Sequence, residues 1–178
     1  MAGLITFLKN YYWAFLALFA ILLFKKAVLS VFLVAFLIVL GILSSLTTRV
    51  INYNIGIELV TFVTVVLAYA YNPFVGFMAA MIMVFGSSVL LGRVFCPLTM
   101  GRYGTYVVLC VMAALFSGMD VSTGGKILVI AYNLLMWGVY AMIKGFSLFR
   151  GAVPVVVNVV LNFFLFTTFA HPLMSALR

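Results

Sequence analysis

The chain has 178 residues, of which 68% are hydrophobic and 7% are charged, and this excludes an ordinary soluble domain, in which about a quarter of the residues carry charge. Its net charge of +8 comes from basic residues that stand singly or in pairs between apolar runs, as in loops at a membrane surface, so we expect no nucleic-acid partner. Two acids and one histidine leave few groups for acid–base chemistry, and motifs for metals or cofactors are missing, so we expect no enzyme and no cofactor.

Repeated apolar runs of roughly 15 to 21 residues predict an all-α integral membrane protein, because about 20 apolar residues are needed to cross a bilayer as a helix. We expect one transmembrane domain over residues 1–178, with a bundle of six helices in residues 27–178. The first run, within residues 1–26, is interrupted by Lys9 and Asn10. It is either an interfacial helix that lies along the membrane or a seventh span.

The six predicted spans follow one another with short connections. In chain order, we expect them at residues 27–48, 57–71, 74–91, 104–118, 127–143 and 155–172. The second and third form a hairpin around Asn72 and Pro73, since proline cannot continue one helix but suits the first turn of the next. Gly76 and Ala80, one turn apart, would let the two backbones approach closely. Lys and Arg divide almost evenly between the two sides, so the orientation in the membrane stays open.

Glu58 is the first candidate for a functional residue, because it stands at the start of an apolar span. One interpretation is structural: an acid in the first turn of a helix is stabilised by the unpaired N–H groups and the helix dipole. In the other, Glu58 faces the interior of the bundle, where it binds a cation or pairs with Arg49.

Asn158 and Asn162 form the second candidate. They are four residues apart and therefore share a face of the last helix. They either make hydrogen bonds between helices or line a polar cavity, which Asn133 could join from the preceding helix. The predicted connections on one side of the membrane hold Arg49, Arg93 and Arg102, which mark either the cytoplasmic face or the mouth of a pocket that accepts an anion.

Three stretches of the chain suggest a family. They are Ile55-Gly-Ile-Glu-Leu59 after a polar connection, the hairpin Tyr71-Asn-Pro-Phe-Val-Gly-Phe77, and Val157-Asn-Val-Val-Leu-Asn162 in the late span. In this layout the chain from Arg49 onward resembles the substrate-binding S components of energy-coupling-factor vitamin transporters. The resemblance extends to the MreD rod-shape protein family, whose fold is similar.

The resemblance implies six helices, a small anionic or polar solute, and a partner complex driven by ATP. It also implies a binding site covered by the loops at residues 49–56, 92–103 and 144–154.

These observations lead to two functional hypotheses. The first is a membrane-embedded subunit that binds or transports a small solute with partner proteins, and its pocket residues would be Glu58, Asn133, Asn158, Asn162, Arg49, Arg93 and Arg102. The alternative is a non-catalytic structural subunit of a membrane complex. In either case the expected partners are the lipid bilayer and other membrane proteins, and the expected location is the cell membrane.

Overall fold

The computed structural model describes residues 25–46, 57–144 and 148–178. These residues form seven helices and no strand, which confirms the all-helical prediction for this part of the chain. The helices are α1 (Lys25–Ser45), α2 (Val60–Ala70), α3 (Pro73–Leu90), α4 (Pro97–Leu115), α5 (Val121–Lys144), α6 (Leu148–Thr168) and α7 (Ala170–Leu177). The predicted helix within residues 1–26 lies almost wholly outside the described residues.

Four of these helices, α1, α3, α4 and α5, are long and apolar enough to cross a membrane. A fifth crossing results if α6 and α7, which are bent by 56° at a short break, are taken together. The chain is therefore a multi-pass membrane protein by the length and composition of its described helices.

The second predicted span is shorter than expected. Residues 57–71 were expected to cross, but α2 has 11 residues. At a rise of 1.5 Å per residue it is about 16 Å long, roughly half of a hydrocarbon core of about 30 Å. The run is apolar because ten of these 11 residues are buried within the protein.

Contacts divide the chain into two units, residues 1–33 and 34–178. The described part of the first unit is the beginning of α1. The second unit contains the remainder of α1 and the whole of the helices from α2 to α7. Within the second unit, α2 contacts each of α3, α4, α5, α6 and α7. A helix that is apolar on all sides is expected at such a central position.

The hairpin between α2 and α3 forms as predicted. The side chain of Asn72 accepts a hydrogen bond from the backbone N–H of Val75 at 2.9 Å, and Pro73 begins α3. Gly76 is buried, and a Cβ atom at this position would lie 2.7 Å from the carbonyl oxygen of Thr64. The missing side chain thus allows the close approach of the two backbones.

Two later helices begin earlier than predicted, because side chains just before them act as caps. The side chain of Cys96 accepts from the backbone N–H of Thr99 and α4 begins at Pro97, so Arg102 lies on a helix and not in a loop. The carboxylate of Asp120 accepts from the backbone N–H groups of Ser122 and Thr123, at 3.0 and 3.2 Å, and α5 begins at Val121. Caps of this kind supply acceptors that a helix start otherwise lacks.

The last predicted span also begins earlier, at Leu148, with Pro154 inside α6. After α6, the short α7 packs at the end of the bundle that holds Asn72 and Asp120, which we call the hairpin end. There the hydroxyl of Tyr71 donates to the carbonyl oxygen of Leu177 at 3.2 Å. The guanidinium of Arg178 donates to the backbone carbonyl oxygen of Tyr69 at 2.9 Å. These bonds fix α7 against the end of α2.

Candidate functional site

The candidate site is built around Glu58, two residues before α2. The backbone at residues 57–59 is not helical, and the N–H of Leu59 donates to the hydroxyl of Ser44 at 3.0 Å, which ties this segment to the end of α1. Glu58 therefore does not occupy the first turn of a helix, contrary to the structural interpretation of its position. Its side chain is 19% exposed and forms an ion pair with Arg102 of α4.

Two tyrosine hydroxyls add to this ion pair. Tyr106 donates to Oε1 of Glu58 at 3.3 Å, and Tyr132 of α5 donates to Oε2 at 3.4 Å. Both tyrosines are buried, and their ring centroids are 4.9 Å apart. Arg102 and Tyr106 are four residues apart on α4, so they reach the carboxylate from one helix face. Three donors from two helices thus converge on one carboxylate.

The asparagines of α6 join the cluster through the backbone of Glu58 and not through its carboxylate. Nδ2 of Asn162 donates to the backbone carbonyl oxygen of Glu58 at 3.3 Å and to that of Asn158 at 2.9 Å, and it also contacts Oδ1 of Asn158. All three partner atoms are oxygens that accept hydrogen bonds. The NH₂ group of the Asn162 amide, and not its oxygen, must therefore face them. Oδ1 of Asn162 then has no hydrogen-bond partner, although the residue is fully buried.

The cluster lies well inside the bundle. Glu58 precedes a helix of about 16 Å that runs to the hairpin end, and Tyr106 and Tyr132 stand near the middle of α4 and α5. Irregular backbone at such a depth is tolerated in a membrane only where protein or a water-filled cavity surrounds it. Charges at this depth are costly, and those that occur are usually paired and often functional.

The structure brings together four of the seven residues proposed from the sequence. Glu58, Arg102, Asn158 and Asn162 belong to the cluster. Asn133 is buried, but its amide donates to the carbonyl oxygen of Val129 on its own helix, at 2.8 Å. Arg93 is exposed in the connection after α3, away from the cluster, and Arg49 lies outside the described residues. The described partner of Glu58 in an ion pair is Arg102.

Sequence reasoning missed the two tyrosines. A weak signal was present, because Tyr106 follows Arg102 at helical spacing and Tyr132 adjoins Asn133. It also missed Thr61, whose hydroxyl lies 3.4 Å from that of Tyr106 and extends the network along α2.

The arrangement is suited to holding a polar group by charge and hydrogen bonds. A guanidinium and two hydroxyls supply donors, while a carboxylate and a free amide oxygen supply acceptors. Among the described residues, no three His, Cys, Asp or Glu side chains lie close enough to hold a metal ion.

The chain matches no protein-family model, no curated protein and no solved structure.

Proposed function

We propose that this protein is a membrane-embedded subunit that binds a small polar solute at the Glu58 cluster and takes part in its transport together with partner proteins. The observation that carries the proposal is the ion pair between Glu58 and Arg102 inside an otherwise apolar bundle. A buried ion pair adds little to stability compared with apolar residues of similar volume, so its presence calls for another role.

The position of the cluster supports this role. Solute sites in many transporters lie near the middle of the membrane, where a helix is interrupted and its end faces the solute. The short α2 begins at such a depth, and Glu58 precedes its first turn.

The resemblance to S components of energy-coupling-factor transporters is part of the proposal. It rests on the sequence of the hairpin at Asn72 and of the late span with Asn158 and Asn162, and it implies an ATP-driven module as the partner. We also propose six transmembrane helices in residues 27–178, with the short α2 as a partial sixth span, and a location in the cell membrane.

The first test is mass spectrometry of the intact protein, extracted in its native lipid. We expect a small molecule bound at one copy per chain, and we expect Glu58→Gln to lose it. Asp120→Asn is the matched control, because it changes the other acid of the chain, which lies at the hairpin end. Retention of the molecule by Glu58→Gln, or its loss from both variants alike, would contradict binding at this cluster.

A second candidate function is that of a structural subunit in a larger membrane complex. It is favoured by the fact that the polar groups around Glu58 bond mainly to one another, as interhelical hydrogen bonds between packed helices do. Stoichiometric partner proteins without any bound small molecule would support this candidate against the first.

A further inference from the structure

The donors of the cluster already form a binding site for a carboxylate. Arg102 and Tyr106 contact Oε1 of Glu58, and Tyr132 contacts Oε2. Charge-assisted hydrogen bonds from a guanidinium to a carboxylate are among the strongest in proteins. The side chain of Glu58 thus occupies a place that the carboxylate of a solute could take with the same three partners.

The other side of the cluster offers acceptors. Oδ1 of Asn162 is fully buried and has no donor, and the same amide contacts the backbone of Glu58 through its Nδ2 atom. A buried acceptor without a partner is destabilising, so a group that donates a hydrogen bond to it would be bound favourably. If Glu58 gives up Arg102, its own carboxylate becomes a second acceptor in the cluster.

Charge balance restricts the solute further. The ion pair sums to zero, and an unpaired charge in such surroundings is strongly destabilising. An anion that took Arg102 would leave Glu58 without a counter-charge, and a cation that took Glu58 would leave Arg102 without one. A solute that carries both charges satisfies both residues and keeps the sum at zero.

From these three observations we propose that the solute is a small zwitterion with a primary ammonium group and a carboxylate. Its carboxylate replaces that of Glu58 at Arg102, Tyr106 and Tyr132, and its ammonium group lies between Glu58 and Oδ1 of Asn162. This inference rests on the proposed function, because it names the class of solute for the same site.

The test uses the full chain in lipid nanodiscs and measures the thermal unfolding midpoint with added probes. Alanine, leucine and phenylalanine are each compared with the acid that lacks the amino group and with the amine that lacks the carboxylate. For alanine these are propionate and ethylamine. We expect at least one amino acid to raise the midpoint by several degrees, while its acid and its amine at the same concentration and ionic strength leave it unchanged.

Substitutions in the cluster test whether the amino acid binds there. Glu58→Gln and Arg102→Met should each weaken the binding of the active amino acid at least tenfold, while Asp120→Asn should not change it. Tyr132→Phe removes one donor and keeps the ring, so it gives a result even if Arg102→Met does not fold. We expect severalfold weaker binding for this variant.

Three results would overturn the inference, and they differ in what they mean for the proposed function. Stabilisation by an acid alone, equal to that by its amino acid, would show an anion site and leave solute binding standing. Stabilisation by no probe would exclude this class of solute, while a co-purified molecule in the mass spectrum would still support solute binding. An amino-acid effect that Glu58→Gln, Arg102→Met and Tyr132→Phe all retain would place the zwitterion site elsewhere.

Discussion

Arg102 supplies the counter-charge of Glu58 in the interior of the bundle. Its side chain is 15% exposed and lies between helices that supply no other cation to the ion pair in the described part of the chain. The loss of one partner from a buried ion pair leaves the other charge uncompensated, which typically destabilises a protein by about 3 to 5 kcal/mol.

We therefore expect Arg102→Met to lower the stability of the protein by an amount of this order, measured as unfolding in detergent. Arg93→Met is the matched control and should have little effect, because Arg93 is exposed after α3. The double variant Glu58→Met with Arg102→Met should recover much of the loss, since no unpaired charge remains. A double variant that is no more stable than Arg102→Met would contradict this account.

Cys96 provides a second prediction at the scale of one residue. Burial acts to raise the pKa of its thiol, but hydrogen bonds with Thr99 and the charge of Arg93 outweigh burial, and the pKa lies below its ordinary value. The thiolate is the form of cysteine that reacts with an alkylating reagent. The alkylation rate of Cys96 should therefore reach half of its maximum at a lower pH than the alkylation rate of an ordinary cysteine does.

Thr99→Val should move this half-maximum to higher pH, because the hydroxyl that lies 3.1 Å from the sulfur is lost. Thr105→Val, further along α4, removes a hydroxyl that bonds to Gly101 and should leave the half-maximum unchanged. The pH profile of alkylation, recorded in a Cys110→Ala background, checks both. An identical profile for Thr99→Val would show that these hydrogen bonds do not set the pKa.

At the scale of the helix, Gly76 tests the packing of α2 against α3. A Cβ atom there would lie 2.7 Å from both the carbonyl oxygen of Thr64 and the Cβ of Ala68, so Gly76→Ala forces the helices apart. We expect a loss of stability of about 1 to 3 kcal/mol, as overpacking usually gives. Gly104→Ala, on α4, meets nothing within 4 Å and should be neutral or slightly stabilising. Equal unfolding midpoints for both variants would refute the close approach.

The helices themselves show what the sequence can and cannot reveal. The runs that form α1, α3, α4 and α5 were recognisable from apolar length, and the hairpin from Asn72 and Pro73. The beginnings of α4 and α5 were misplaced, because their caps come from Cys96 and Asp120, and a thiol is an unusual cap. The shortness of α2 could not be seen, since burial in protein and burial in lipid both select apolar residues.

The same limit applies to the cluster. Glu58 and the pair Asn158 and Asn162 could be selected from the sequence, because polar residues in apolar runs are few. The partner of Glu58 could not, because Arg102 reaches it only through the rotation and depth at which α4 packs beside α2. Helix spacing places residues on one face but does not say which neighbouring helix that face meets.

At the scale of the whole molecule, α3 is long and apolar enough to connect the two sides of the membrane. It begins at Pro73 and ends at Leu90, so Asn72 and Cys96 should lie on opposite sides. In sealed vesicles, a maleimide that cannot cross the membrane should label native Cys96 in one vesicle orientation. In the double variant Asn72→Cys with Cys96→Ser, the same reagent should label the new cysteine only in the opposite vesicle orientation. Labelling of both from the same side would show that α3 does not cross.

The paired charges of Glu58 and Arg102 also have an electrical consequence. A membrane potential does work on a net charge that moves through it, about 2.3 kcal/mol for one charge across 100 mV. The described cluster sums to zero, and it would still sum to zero with a zwitterion bound. Movement of this site through the bilayer would therefore carry no current, and the membrane voltage would supply no energy for uphill transport through it.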